Sequence, residues 1–438
     1  MKNIIFLILL LFLTAVKCNF KNNILSDFKS EIYLIDTSIL SRSLNFIDEI
    51  IIEENENLIL NNISSADIDS KSNLLIITDP VNRTANLYDY KTGSIKGWLM
   101  AGLNFSDSVA LSGKIPYKRY YLGNKTLRYL TNEDSKQYGI SEKEIKTFLK
   151  NEFNIAKFIN GKIYLLALIH VVAISEDDSL KMPENNTSII ICDYDLTIEK
   201  IIVLENRLSA HSGPDGFIIN QKDNIIFATS VKSTRQRYEK KTDSLPSISM
   251  YNTNGDFIEI SSYLPDNYNF KNAGYNLEHY PSLAQFNSEV FISFPYDLTI
   301  YKEKNIPRFK IKNLPFSNNP GFNYYKKISD DIINSDLNRD WNERYRIMNA
   351  LFPIRILRIF EGNRNIIVQL LVMDTTIKNG YYYILQEYDF QGILISQTNI
   401  YEDVDSKIHF ITIDNDNNIL IIFRKNKDGW RMEKREWK

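Results

Sequence analysis

Ala66-Asp67-Ile68-Asp69-Ser70-Lys71-Ser72-Asn73-Leu74-Leu75-Ile76-Ile77, followed shortly by Tyr88-Asp89-Tyr90-Lys91-Thr92-Gly93, is the stretch on which the fold turns. Its first half reads as a strand, a polar turn closed by Asn73, and a second, wholly apolar strand. Asn and Gly tolerate the positive φ that such tight turns need. Its second half reads as the end of a third strand, a Tyr-Asp turn closed by Gly93, and the start of a fourth. Two hairpins in succession give a four-stranded antiparallel unit.

The first hairpin recurs six times in all. The later copies turn at Asn160-Gly161, at Asn220 to Asn224, at Asn287-Ser288-Glu289, at Gly362 to Asn365, and at Asn415 to Asn418. Each leads into an apolar strand, such as Ile225-Ile226-Phe227 or Ile419-Leu420-Ile421-Ile422. The second hairpin is marked by Tyr194-Asp195-Leu196-Thr197, Tyr251-Asn252-Thr253-Asn254-Gly255 and Tyr388-Asp389-Phe390-Gln391-Gly392. In the fourth unit Tyr296-Asp297 falls early, and the outer hairpin is weakly marked. A chain of 438 residues is long for one ordinary core. Repetition lifts that limit, because each unit buries its apolar faces on its neighbours. The fold class expected is all-β, a six-bladed β-propeller.

After the sixth copy one strand remains, Gly429 to Trp437, which leaves the last blade a strand short. The spare is Phe46-Ile47-Asp48-Glu49-Ile50-Ile51-Ile52, whose pairing with the C-terminal strand would close the ring and remove its exposed edges. The first blade is thus placed at about 60–100, and the last at about 405–438 plus strand 46–52. Two short helical insertions are also expected. One is capped at Ser141-Glu142-Lys143-Glu144 with Ile145, Phe148 and Leu149 as its stripe. The other follows Ser329, carries Ile333, Leu337, Trp341, Tyr345 and Met348, and ends at Phe352-Pro353.

The Tyr-Asp-x-x-Gly outer turns, the Asp/Asn-Asn inner turns and the helix running into Phe352-Pro353 resemble the exported bacterial six-bladed propellers related to NHL-repeat and TolB-like proteins. The resemblance covers residues 46–438 and implies fold without lending catalytic residues. NHL modules proper are richer in Gly than this chain, with its 16 Gly, so the likeness is to the divergent bacterial group.

The N-terminus reads as an export signal over 1–18: Lys2, then the apolar run Ile4 to Val16, too short for a comfortable membrane span. The propeller then occupies 19–438. Cys18 invites a lipoprotein reading, with membrane anchoring through its thiol. Ala15 and Lys17 depart from the usual lipidation box, and the preferred reading is a soluble periplasmic or secreted protein. The one other cysteine, Cys192, lies in an apolar run and reads as a buried strand residue, so no disulfide framework is expected. Net charge is −2 with Lys and Arg scattered among acids, which argues against nucleic acid as a partner.

In a blade, the turns between strands one and two and between three and four share one face; the remaining links share the other. The first set is short throughout. The second includes Leu99–Ile155, Ile169–Thr187, Glu205–Asp215, Thr229–Leu245, Pro265–Ser282 and Pro315–Ile354. Long segments confined to one face suggest a binding face; a plain plug over the channel is the alternative. Candidate contacts are Arg83, Arg207, His211, Arg235, Arg237, Tyr238, His279, Tyr280, Arg344 and Arg346, types that suit a protein, peptide or glycan ligand. Ion pairs with Asp340 and Glu343 would explain Arg344 and Arg346 equally well.

Chemistry is weakly marked. No Gly-x-Ser-x-Gly elbow and no Cys-x-x-Cys-His occurs, and no cofactor is implied. Asp67, Asp69, Asn220, Asn287 and Asp414 lie on the inner strands, but mostly at turns and without convergence, so no metal site is assigned. The expectation is a non-enzymatic extracytoplasmic binding propeller; the alternative is a channel-metal-dependent hydrolase of the lactonase type.

Overall fold

The structure is a computed structural model and describes residues 40–41, 43–55, 58–100, 120–122, 125–127, 152–171, 184–204, 216–220, 222, 224–229, 246–265, 281–286, 288–315, 352–362, 365–374, 376–377, 379–402, 406–414, 416 and 418–437. Both expected helices, the export signal and Cys18 lie outside these residues.

Two strands precede the blades, β1 (Leu40–Ser41) and β2 (Leu44–Ile51). Blade one is β3 (Ser65–Asp69), β4 (Leu74–Asp79), β5 (Thr84–Asp89) and β6 (Ile95–Met100). A separate small hairpin, β7 (Tyr120–Leu122) and β8 (Lys125–Leu127), follows. Blade two is β9 (Glu152–Ile159), β10 (Lys162–Val171), β11 (Glu184–Cys192) and β12 (Ile198–Val203). Blade three is β13 (Phe217–Asn220), β14 (Ile225–Thr229), β15 (Pro246–Asn252) and β16 (Phe257–Tyr263). Blade four is β17 (Ser282–Phe286), β18 (Glu289–Phe294), β19 (Asp297–Lys302) and β20 (Ile306–Lys310). Blade five is β21 (Ile354–Glu361), β22 (Ile366–Met373), β23 (Tyr381–Tyr388) and β24 (Leu394–Ile400). Blade six is β25 (Lys407–Asp414), β26 (Ile419–Asn426) and β27 (Gly429–Trp437), completed by β2.

The ring therefore closes as the spare strand suggested. β2 pairs antiparallel with β27 from Leu44↔Trp437 to Ile51↔Arg431, and the Ile52 amide donates to the Trp430 carbonyl at 3.0 Å. Trp430 itself is fully buried at this seam. The short β1, which lies parallel to β24 as a fifth strand on blade five, has no counterpart in the repeat pattern.

Each blade is covered on both faces, which explains the sequence. Middle strands read as continuous apolar runs, since neither face meets water. All six residues of β4, Leu74 to Asp79, are buried, as are the first seven of the eight in β22. The outermost β2 is mostly exposed. The core is accordingly divided into six clusters, one at each seam between neighbouring blades. Leu74, Ile76 and Leu87 of blade one meet Phe153, Ile163 and Leu165 of blade two, for example. Six seams for six blades is what a closed ring requires.

The Tyr-Asp turns have a physical account. The Tyr is buried between blades, as Tyr88, Tyr251 and Tyr388 are, and the next residue caps the turn. Asp89 Oδ1 accepts from the amides of Lys91 and Thr92 at 3.0 Å, and Asn252 Oδ1 from Asn254 at 2.8 Å and Asp256 at 3.0 Å. Blade two corrects the sequence reading by two residues. There Asp193, not Asp195, caps the turn, accepting from the Asp195 amide at 3.0 Å and the Thr197 amide at 2.7 Å. Cys192 thus occupies the buried place that Tyr fills elsewhere, and burial pushes its thiol up to about 12. In blade four the turn is a single 3-10 turn at Glu303–Asn305, with Lys304 and Asn305 both at positive φ. That explains why no Tyr-Asp mark was visible there.

The two faces differ as expected. On the tight-turn face the connections span at most five residues, as at 90–94, 193–197 and 389–393. On the loop face the asymmetry is sharper than the sequence suggested. Segments 101–151, 172–183, 204–216, 230–245, 264–281 and 311–353 all leave and re-enter the ring between blades one and five. The links that serve blades five, six and one are mostly short: 80–83, 374–380, 401–406 and 427–428.

Candidate functional site

The inner strands β3, β9, β13, β17, β21 and β25 present their free edges to the ring axis and enclose a channel of about 540 Å³. A free edge carries unpaired N–H and C=O groups that need partners. The sequence supplies them from the neighbouring blade. Asp67 Oδ2 accepts from the Phe158 amide at 2.7 Å, which ties blade one to blade two. Lys157 Nζ donates to the Phe217 carbonyl at 3.0 Å, from two to three. Asn220 Nδ2 reaches the Ser288 carbonyl at 3.4 Å, from three to four. Ser282 Oγ accepts from the Ile359 amide at 2.9 Å, from four to five. Arg358 donates to the Ile411 carbonyl at 3.0 Å, from five to six. Asp416 accepts from Ser70 Oγ at 3.1 Å and pairs with Lys71 at 3.0 Å, from six to one. Every seam is thus bridged by at least one described side chain.

These rivets settle what the polar inner-strand residues do. Asp69 accepts from the Tyr194 hydroxyl and, at 3.2 Å, from the Ser72 amide. Asn220 also accepts from the Lys222 amide at 3.2 Å. Asp414 is buried at its strand end, and Asn287 lies outside the described residues. Among the described residues no three His, Cys, Asp or Glu side chains converge on a point that could hold a metal ion.

Sequence reasoning passed over the charges that matter most. Lys157 sits in Ala156-Lys157-Phe158 and Arg358 in Leu357-Arg358-Ile359; a cation inside an apolar strand was the available signal. The Arg358 guanidinium is buried over the Phe410 ring, 4.6 Å from its centroid, and the Lys157 ammonium stands 5.5 Å from that of Phe217. Burial pushes the Asp67 carboxyl up to about 6, opposed by the Phe158 amide and by the charges of Lys157 and Arg358. Glu361, at the channel's tight-turn rim, is likewise raised to about 6 by the protein crowded around it, with Lys157 opposing. Lys222 and Ser288 line the channel at the same tight-turn end.

Of the ten candidate contacts, one is described. Arg83 lies half-buried in the 80–83 turn of the loop face with φ of 59°. Beside it Asn82 is spent on structure, donating to Asp79 and to the Ile59 carbonyl while accepting from Asn61. Arg207, His211, Arg235, Arg237, Tyr238, His279, Tyr280, Arg344 and Arg346 lie outside the described residues.

The strand order and the closure by β2 define the molecule as a six-bladed β-propeller, the fold of the exported bacterial group that its motifs resemble. No protein-family model matches the sequence, and no curated protein is similar to it. Among solved structures it is similar to a member of the DUF4221 family from Bacteroides vulgatus, at 8% identity and a TM-score of 0.47 over 91% of this chain and 99% of that one. A protein of Bacteroides fragilis described as exported gives 13% identity and a TM-score of 0.46 over 92% and 97%. The PQQ-bound aldose sugar dehydrogenase of Streptomyces coelicolor gives 10% and 0.43 over 91% and 99%. Likeness at this level says nothing about what this chain binds.

Proposed function

We propose that this protein is a non-enzymatic binding propeller outside the cytoplasm, and that it engages a protein, peptide or glycan ligand through its loop face. The observation that supports this reading is the one-sided placement of long links between strands, all between blades one and five, on a ring whose links on the other face span at most five residues. A rigid ring that holds variable segments on one side is the usual arrangement for a binding surface. The described inner-strand carboxylates and amides are occupied in joining blades, which leaves the hydrolase alternative without an assigned ligand set.

Alanine substitutions at Arg207, His211, Tyr280 and Arg346 test the reading. Retention of partners from an envelope extract should fall at least tenfold while the melting temperature stays within a degree or two. Unchanged retention by the fourfold variant would refute the assignment of these residues. Fractionation of wild type and Cys18→Ser tests the anchor: on the soluble reading both are recovered free of membranes, and membrane recovery of wild type alone would establish lipidation.

A further inference from the structure

The tight-turn rim of the channel carries a charge arrangement that the structural rivets do not absorb. Lys222 lies in the β13–β14 turn of blade three, and Glu361 ends β21 of blade five; both are exposed and both line the channel. Among the described residues neither side chain makes a hydrogen bond or an ion pair. Between them, on blade four, Gln285 and Ser288 also line the channel. Among the described residues the order from blade three to blade five is therefore a cation, two neutral polar residues, and an anion. Below it the wall turns apolar at Ile219, Leu283 and Phe360. The volume of about 540 Å³ falls within the roughly 300–1,000 Å³ of small-molecule sites.

We infer that this rim is a second binding site, on the face opposite the long segments, for a short zwitterionic peptide. Its C-terminal carboxylate pairs with Lys222 and its N-terminal ammonium with Glu361, and its internal amides lie against Gln285 and Ser288. A peptide group offers one donor and one acceptor, and a Gln side-chain amide answers both. With the two charges on blades three and five and polar residues of blade four between them, a peptide of two or three residues places its charged ends on either side of its amides. A fully cationic ligand would face Lys157, Lys222 and Arg358, and a fully anionic one Asp67 and Glu361; a dipolar ligand meets each charge with its opposite. Among the described residues those five are the charged groups that line the channel. Because Glu361 ionises only above about 6, retention should weaken as pH falls below that value.

The test is equilibrium dialysis of the intact mature protein against a defined tripeptide library, read by mass spectrometry. The library is used in three forms: free-ended, N-acetylated and C-amidated. Saturable retention of free-ended peptides, reduced at least tenfold by either block, is expected. Glu361→Gln should abolish the penalty for acetylation, and Lys222→Met the penalty for amidation. Both residues are exposed, so neither variant should melt below wild type. No retention of the free-ended library, or retention indifferent to one of the two blocks, would overturn the inference. The outcome is independent of the loop-face reading, since substitutions there leave this rim intact.

Discussion

Asp67→Asn isolates the cost of keeping a carboxylate at the ring axis. The carboxyl ionises near 6 in the folded protein, against about 3.9 for a free aspartate. The folded state therefore binds a proton that the unfolded state has lost between those two values. The wild-type contribution is fully favourable below about pH 4 and is lost as pH rises through 6. Two pKa units correspond to about 3 kcal/mol, and water in the channel screens part of this, so about 2 kcal/mol is expected. Asn keeps an oxygen to accept from the Phe158 amide and carries no charge to desolvate. At pH 7.5 the variant should be more stable than wild type by about 2 kcal/mol, or roughly 2–3 °C in melting temperature for a chain of this length. At pH 4 the two should coincide. Calorimetry or urea unfolding at both pH values reads the difference. A variant destabilised equally at both would show that ionisation of Asp67 does not oppose folding at the blade-one to blade-two seam, and the reasoning would fail.

Deleting residues 429–438 should lower the stability of the whole ring in one cooperative step, because it strands β2 and opens the seam held by Trp430; a deletion variant that melts at the parent temperature would contradict closure. Two glycines separate backbone strain from crowding. Gly161→Ala should cost only about 1 kcal/mol, for its φ of +73° and open surroundings. Gly93→Ala should cost clearly more, since at the same φ an added Cβ would lie 2.1 Å from the Ile51 carbonyl oxygen, and urea midpoints rank the pair. Cys192, buried and with its thiol raised to about 12, should resist iodoacetamide until the protein unfolds; labelling of the native protein at neutral pH would show that blade two opens.

The fold was legible because its signals are local and repeated. Asn73, Asn160 and Asn418 sit at positive φ in the inner turns, and Gly93, Gly255 and Gly392 do so in the outer ones. The closing strand was legible by subtraction, since only one segment was left to complete blade six. What misled the reading of blade two is equally local: Cys192-Asp193-Tyr194-Asp195 offers two Asp residues, and only burial decides which one caps. The channel charges escaped notice for a different reason. Lys157, Arg358 and Asp67 are far apart in sequence, and each acts on the backbone of the next blade, a relation that no single stretch displays. The opposed rim charges of Lys222 and Glu361 likewise appear only once blades three and five stand around one axis.

The loop-face claim can be tested most directly by choosing which face to cover. In a Cys18→Ser background, Lys91→Cys places a thiol in a tight turn and Val81→Cys places one on the loop face, both at exposed positions, while Cys192 stays buried. Each variant is coupled through that thiol to a solid support and exposed to envelope extract. Protein held by Lys91→Cys should retain its partners, and protein held by Val81→Cys should lose them. Equal capture from both orientations, or capture only through Val81→Cys, would contradict a loop-face binding propeller.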